Sequence, residues 1–162
     1  MEKIGFIGCG HLAKAIINGL SNFEKYNIDG HDRNEVNQNW LQTNGHQASS
    51  LKDVVINSDV VFICVKPKDV ISLCNDMKQH ISLNKKVVSV AAGIKYRQIK
   101  DCLEDAKIFR AMPNIGSKDN LGITSIFSRE ESSDIVELFK HLGEAFVVED
   151  ENNIDLHTSL IG

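Results

Sequence analysis

Ile4-Gly5-Phe6-Ile7-Gly8-Cys9-Gly10-His11-Leu12-Ala13, close to the start of a 162-residue chain, decides how the rest is read. An apolar run leads into two closely spaced glycines, and Leu12, Ile16 and Leu20 then repeat every four residues as the stripe of an amphipathic helix. A strand feeding a glycine-rich turn that opens a helix is the setting in which G-x-G-x-x-G/A binds a dinucleotide. Gly8 permits the tight turn out of the strand, and Gly10 lets backbone approach a pyrophosphate where a side chain would collide. Ala13 replaces the third glycine and is small enough for close helix–strand packing. The helix start, at His11 and Leu12, offers unpaired N–H groups and a partial positive charge to phosphates.

Working outward, short apolar runs alternate with helical patterns: Lys3–Gly8, Ile28–Asp32, Asp59–Val65, Lys86–Ala91, Lys107–Met112 and Ala145–Val148. This alternation is the mark of β-α-β units, and Val60 to Val65 is apolar throughout, as in a central strand covered on both faces. Val70, Leu73, Met77 and Ile81 trace a second helical stripe, and Ile135, Leu138, Phe139 and Leu142 a third. Ser128-Arg129-Glu130-Glu131 reads as a capping box ahead of the third, with Gly143 at its stop. Ser50 reads as the cap of a short helix. The expected fold class is α/β, a doubly wound, mainly parallel Rossmann-like sheet. Strands near Ile123–Phe127 and Ala145–Val148 should extend one edge in a different order or direction.

Composition narrows the function classes. Hydrophobic residues make up 42% and charged residues 25%, as in ordinary globular domains, and the net charge of −4 comes without a basic run. A nucleic-acid partner is therefore not expected. No apolar stretch nears the roughly 18 residues of a membrane helix. The N-terminus runs straight into a strand pattern with no room for a signal peptide, so a cytoplasmic protein is expected. Cys9, Cys64, Cys74 and Cys102 form no Cys-x-x-Cys pair and the six histidines are dispersed, so neither a metal site nor a disulfide is expected.

The second run ends on Asp32-Arg33. Asp32 lies 19 residues after Ala13, close to the spacing of an acid that accepts hydrogen bonds from the adenosine ribose and repels a 2′-phosphate. Arg33 could instead pair with that phosphate. Both NADP and NAD are therefore open as cofactor, and Asp32 tips the reading toward NAD.

Three further segments follow in order: Val65-Lys66-Pro67, Ser89-Val90-Ala91-Ala92-Gly93-Ile94 and Arg110-Ala111-Met112-Pro113-Asn114. With the opening Ile4 to Gly10, the chain resembles the N-terminal domain of pyrroline-5-carboxylate reductases, which reduce a cyclic imine to proline with NADPH or NADH. The resemblance implies that Gly8, Gly10, His11 and Leu12 hold the pyrophosphate. Val65, Lys66 and Pro67 would line the nicotinamide ribose, Ala91, Ala92 and Gly93 the floor under the ring, and Met112, Pro113 and Asn114 the nicotinamide and substrate side. Ser50 stands where an Asn contacting the cofactor is common. His11 and Leu12 replace the family's usual Asn and Met, and Ile115-Gly116-Ser117 replaces its Thr-Pro-Ala.

The tail completes the expectations. Residues 1–149 read as the NAD(P)-binding domain. Residues 150–162 read as the start of a helix (Ile154, Leu156, Leu160) belonging to a C-terminal helical dimerisation domain absent from these residues. An apolar face there, including Ile161, should drive association into a homo-oligomer. No catalytic acid or base is assigned within the chain, and the small-molecule substrate implied by the resemblance is 1-pyrroline-5-carboxylate. Two other readings stand beside it: a short dinucleotide-binding protein without catalysis, and another Rossmann oxidoreductase such as a β-hydroxyacid dehydrogenase or a deazaflavin-dependent NADP reductase.

Overall fold

Val60-Val61-Phe62-Ile63 is apolar throughout because alternate side chains enter two different cores. In the computed structural model, which describes residues 1–114 and 122–154, Val60 and Phe62 pack on one face of a single sheet, and Val61 and Ile63 on the other. The strands are β1 (Glu2–Ile7), β2 (Tyr26–His31), β3 (Gln47–Ala48), β4 (Val60–Ile63), β5 (Lys86–Ser89), β6 (Lys107–Asn114), β7 (Gly122–Phe127) and β8 (Gly143–Val147). Their order is β3-β2-β1-β4-β5-β6-β7-β8.

β1 through β6 run parallel, β7 lies antiparallel to β6, and β8 is parallel to β7. The doubly wound reading therefore holds, and so does the change of direction at one edge. The chain leaves β1 outward to β2 and β3, then crosses to β4 on the other flank of β1. That reversal opens the crevice between β1 and β4 at the carboxyl ends of the strands, where doubly wound folds bind ligands.

Among the described residues, six α-helices cover the two faces. α1 (His11–Leu20), α2 (Glu35–Thr43) and α6 (Ser133–Lys140) contribute Ile16, Ile17, Leu20, Leu41, Leu138 and Phe139 to the first core. Phe6 and Phe62 stack there with ring centroids 4.9 Å apart. α3 (Leu51–Asn57), α4 (Val70–Met77) and α5 (Tyr96–Cys102) supply Val54, Val55, Val70, Cys74, Met77, Tyr96 and Ile99 to the second. No helix among the described residues is long and apolar enough to cross a membrane.

Several expectations shift on contact with the structure. α2 carries no clear apolar stripe, only the buried Leu41 and the half-buried Trp40, so periodicity misses it; its start is nevertheless marked by Asn34, whose side chain accepts from the Val36 N–H at 2.9 Å. The capping box at Ser128–Glu131 is misplaced. Ser128 Oγ donates to the Ile108 carbonyl and accepts from the Glu130 N–H, and α6 begins only at Ser133, whose N–H and hydroxyl both bind Glu131. Gly143 opens β8 instead of ending the helix. Its φ is +144°, and a Cβ there would lie 2.1 Å from the Gly122 carbonyl oxygen.

Ile154, expected on an exposed apolar face, is fully buried in the second core. It is held there by the turn before it, where Glu151 accepts from the Arg110 guanidinium at 2.9 Å and from the Tyr96 N–H. Arg110 is itself wholly buried on β6, so the acidic tail carries its counter-charge. Leu156, Leu160, Ile161 and the segment Ile115-Gly116-Ser117 lie outside the described residues.

Candidate cofactor-binding site

The carboxyl ends of β1, β2 and β4 face a cleft of about 490 Å3 that collects most of the adenosine-side residues. Gly8, Gly10, Asp32, Arg33, Val65 and Lys66 line it, as expected from sequence. His31, Leu51, Lys68, Asp69, Leu73 and Asp76 line it too and were not expected. The signal for them was position: His31 precedes Asp32, and Lys68 to Asp76 continue directly from Pro67. A hollow of similar size, about 540 Å3, at Glu2, Asp59 and Lys86 lies at the amino ends of the strands, the edge a doubly wound sheet does not use for ligands.

The loop between β1 and α1 is anchored on three sides. The Gly8 N–H donates to the His31 carbonyl at 2.9 Å, and the Cys64 N–H to the Ile7 carbonyl at 2.8 Å. The Cys9 N–H donates to Asp32 Oδ2 at 2.8 Å. The two glycines do different things. Gly8 has φ +88°, and a Cβ on it would stand 2.7 Å from the Cys64 carbonyl oxygen, so the protein itself demands glycine there. Gly10 is extended, with φ −78° and ψ −161°, and a Cβ on it would meet nothing within 4 Å. Nothing in the protein requires glycine at that position; the open space in front of it is the room a pyrophosphate would fill.

α1 begins at this point with no side-chain cap and no acidic residue in its first turn. Its first N–H groups and dipole therefore face the loop's mouth, the arrangement that suits an anion. His11 is exposed, Leu12 half-buried and Ala13 buried under the helix, so those three shape the loop without lining the cleft.

Asp32 is braced rather than open. Its Oδ2 accepts from the Cys9 N–H and from Asn37 Nδ2 at 3.0 Å, and its Oδ1 accepts from the Asn34 N–H at 2.8 Å. Partial burial works against the charge, but these hydrogen bonds outweigh it and hold the carboxyl below its ordinary range. A carboxylate has about four acceptor positions, and three are taken. That leaves one acceptor for a ribose hydroxyl, the others being engaged by the loop, by the turn after β2 and by α2. Arg33 is 87% exposed, and its guanidinium stands 3.9 Å from Asp69 across the cleft. With Lys66 and Lys68 it is one of three cations lining this cleft.

The remaining expected residues sit at the same edge but not in this cleft. Ser50 caps α3, accepting from the Asp53 N–H at 3.1 Å, and Leu51 beside it takes the place in the lining. Pro67 starts a short 3-10 turn, Pro67–Asp69. Ala91 is buried, Ala92 and Gly93 are exposed after β5, and Gly93 has φ +76°. Asn114 ends β6, exposed and paired with Ile123 across to β7.

The four thiols are unpaired with one another. Burial, reinforced by the Asp32 charge, pushes Cys9 up to about 12, and burial also raises Cys64. Thiols that hold their protons this firmly are not nucleophiles. Among the described residues no group of three or more His, Cys, Asp or Glu is placed to hold a metal ion.

Against known proteins, the chain is 32% identical to the pyrroline-5-carboxylate reductase of Escherichia coli (strain K12), over 91% of this chain and 59% of that protein. It is 30% identical to that of Aquifex aeolicus, over 99% of this chain and 62% of the relative. The solved pyrroline-5-carboxylate reductase of Coxiella burnetii superposes with a TM-score of 0.88 at 28% identity, covering 98% of this chain and 63% of the other. The chain thus spans about three-fifths of the relatives it matches, 59% and 62% of the two curated ones. Residues 3–93, which contain the loop, Asp32-Arg33 and the Val65-Lys66-Pro67 turn, match the family model described as "NADP oxidoreductase coenzyme F420-dependent", and the chain belongs to that family.

Proposed function

We propose that this chain is the cofactor-binding half of a pyrroline-5-carboxylate reductase that uses NADPH. The observation that carries the reading is the match to reductases of that name along nearly the whole chain, on a sheet edge built to receive a dinucleotide. When bound, the dinucleotide supplies the hydride. The chain's own residues bind and orient it. Gly8, Gly10 and the start of α1 at His11 and Leu12 hold the pyrophosphate, and Arg33 pairs with the 2′-phosphate. Val65, Lys66 and Pro67 lie along the nicotinamide ribose, with Ala91 to Gly93 beneath the ring and Asn114 toward the substrate.

Imine reduction also needs a hydrogen-bond donor at the ring nitrogen. A grip on the substrate carboxylate must hold the imine carbon about 3–3.5 Å from the donor carbon. No residue described here is assigned either task. On this reading both come from the part of the relatives that the chain does not match, a helical part into which residues 150–162 lead and through which the protein forms a homo-oligomer. The place of action is the cytoplasm.

Calorimetric titration with NADPH and NADH, followed by an assay of pyrroline-5-carboxylate reduction, tests the reading. It predicts NADPH binding tighter than NADH, without turnover by these 162 residues alone. Absence of binding by either dinucleotide contradicts it, and turnover of a β-hydroxyacid in place of the imine would move the chain to the dehydrogenases.

A further inference from the structure

We propose that His31 reads the 6-amino group of the cofactor's adenine, making the cleft selective for 6-aminopurines over 6-oxopurines. This rests on the dinucleotide reading above. With the pyrophosphate at Gly8 and Gly10 and the ribose at Asp32 and Arg33, the base continues into the rest of the cleft, whose lining includes His31, Leu51 and Leu73. His31 is paired with Ile7 in the sheet, so both side chains enter the same face, the one on which α3 and α4 pack. Leu51 opens α3 and Leu73 lies on α4. Both are half-buried against that core and give a flat base apolar walls.

The tautomer of His31 follows from its one hydrogen bond. Nδ1 lies 2.9 Å from the Ser49 carbonyl oxygen, and a carbonyl oxygen can only accept. Nδ1 therefore carries the proton, and Nε2 of the neutral ring carries a lone pair. His31 is one of the residues lining the cleft, and Ser49 lies just past β3, on the flank of β2 away from β1. Nε2 has no hydrogen-bond partner among the described residues. An acceptor in a cleft whose lining also offers Leu51 and Leu73 matches the N6–H of adenine. The 6-oxygen of hypoxanthine or guanine would instead face it lone pair to lone pair, leaving two buried acceptors unpaired.

The test compares NADPH with its deamino analogue, nicotinamide hypoxanthine dinucleotide phosphate, by calorimetric titration of the wild-type chain and of His31→Phe. Wild type is expected to bind NADPH roughly tenfold more tightly than the analogue, the worth of one lost hydrogen bond and a stranded acceptor. His31→Phe keeps a ring against the base but no acceptor, and should bind the two alike. Equal binding of the two by wild type overturns the proposal without need of any variant, as does discrimination that persists in His31→Phe. Either result leaves the dinucleotide reading intact, since NADPH still binds. If wild type binds neither compound, the dinucleotide reading falls and this proposal with it.

Discussion

The sheet edge beyond β1, β2 and β4, and the edge beyond β5 and β6, are built by different means. On the first, three strand ends and the starts of α1 and α3 close around a cleft. The loop in it is tied by the Gly8, Cys9 and Cys64 N–H groups to the neighbouring strand ends and to Asp32. On the second, Ala92, Gly93 and Asn114 stand exposed at the ends of their strands. The part of a dinucleotide that never reacts can be held by backbone and short loops of one chain. The part that reacts needs chemistry that differs from enzyme to enzyme, and a sheet edge alone does not provide it.

Substitutions of Gly8 and Gly93, two of the positive-φ glycines, one at each side, make the contrast measurable. Gly8→Ala combines a left-handed backbone with a contact to the Cys64 carbonyl, and should cost about 3 kcal/mol in chemical denaturation. Arg33→Ser should weaken NADPH roughly tenfold while leaving NADH unchanged, the loss of one charge-assisted hydrogen bond at an exposed site. Equal losses for both dinucleotides would mean that Arg33 does not meet the 2′-phosphate. Gly93→Ala, on the open side, carries the backbone strain without the collision, because nothing lies within 4 Å of its Cβ position. Its cost should be about 1 kcal/mol. A cost equal to that of Gly8→Ala would erase the distinction between a tied loop and an open one.

The smallest expected effect concerns Asp32. Its carboxyl is held below the ordinary 3.8 by the Asn34, Cys9 and Asn37 hydrogen bonds, against the opposing effect of burial. A depressed folded value means that the ionised acid stabilises the fold above its unfolded value. That contribution is lost as pH falls from about 4 through the folded value. The group is only partly buried, so the contribution is under about 1 kcal/mol. The difference in urea midpoint between wild type and Asp32→Asn should therefore be larger at pH 7 than at pH 3. A difference that does not change with pH would show that Asp32 does not brace the loop through its charge.

Legibility in the sequence follows the same division. The Gly8–Ala13 loop, the two-faced strand Val60–Ile63 and the parallel order could be read because each depends on backbone geometry and apolar spacing, which residue types report directly. Ser50 could be read as a cap for the same reason. α2 could not, because its burial rests on little more than Leu41, too little for a period. Arg110 hid inside an apolar strand, because its partner Glu151 is brought close only by the completed fold. Asp32 was visible as an acid at the right spacing. Its role was not, since the three donors that occupy it come from the loop, from its own turn and from α2. His31, Lys68 and Leu73 come from β2, from the Pro67–Asp69 turn and from α4, elements far apart in sequence that the fold brings to one cleft.

Gly10 offers the most direct test of the central claim, that this loop exists to admit a phosphate. NADPH would be titrated into wild type and Gly10→Ala, with thermal unfolding of both recorded alongside. The added methyl meets no protein atom within 4 Å and sits on ordinary extended backbone, so stability should change by less than about 0.5 kcal/mol. Binding should weaken at least about tenfold, or 1.4 kcal/mol. A variant that melts like wild type and binds NADPH equally well would contradict the account, because the space before Gly10 would then hold no phosphate.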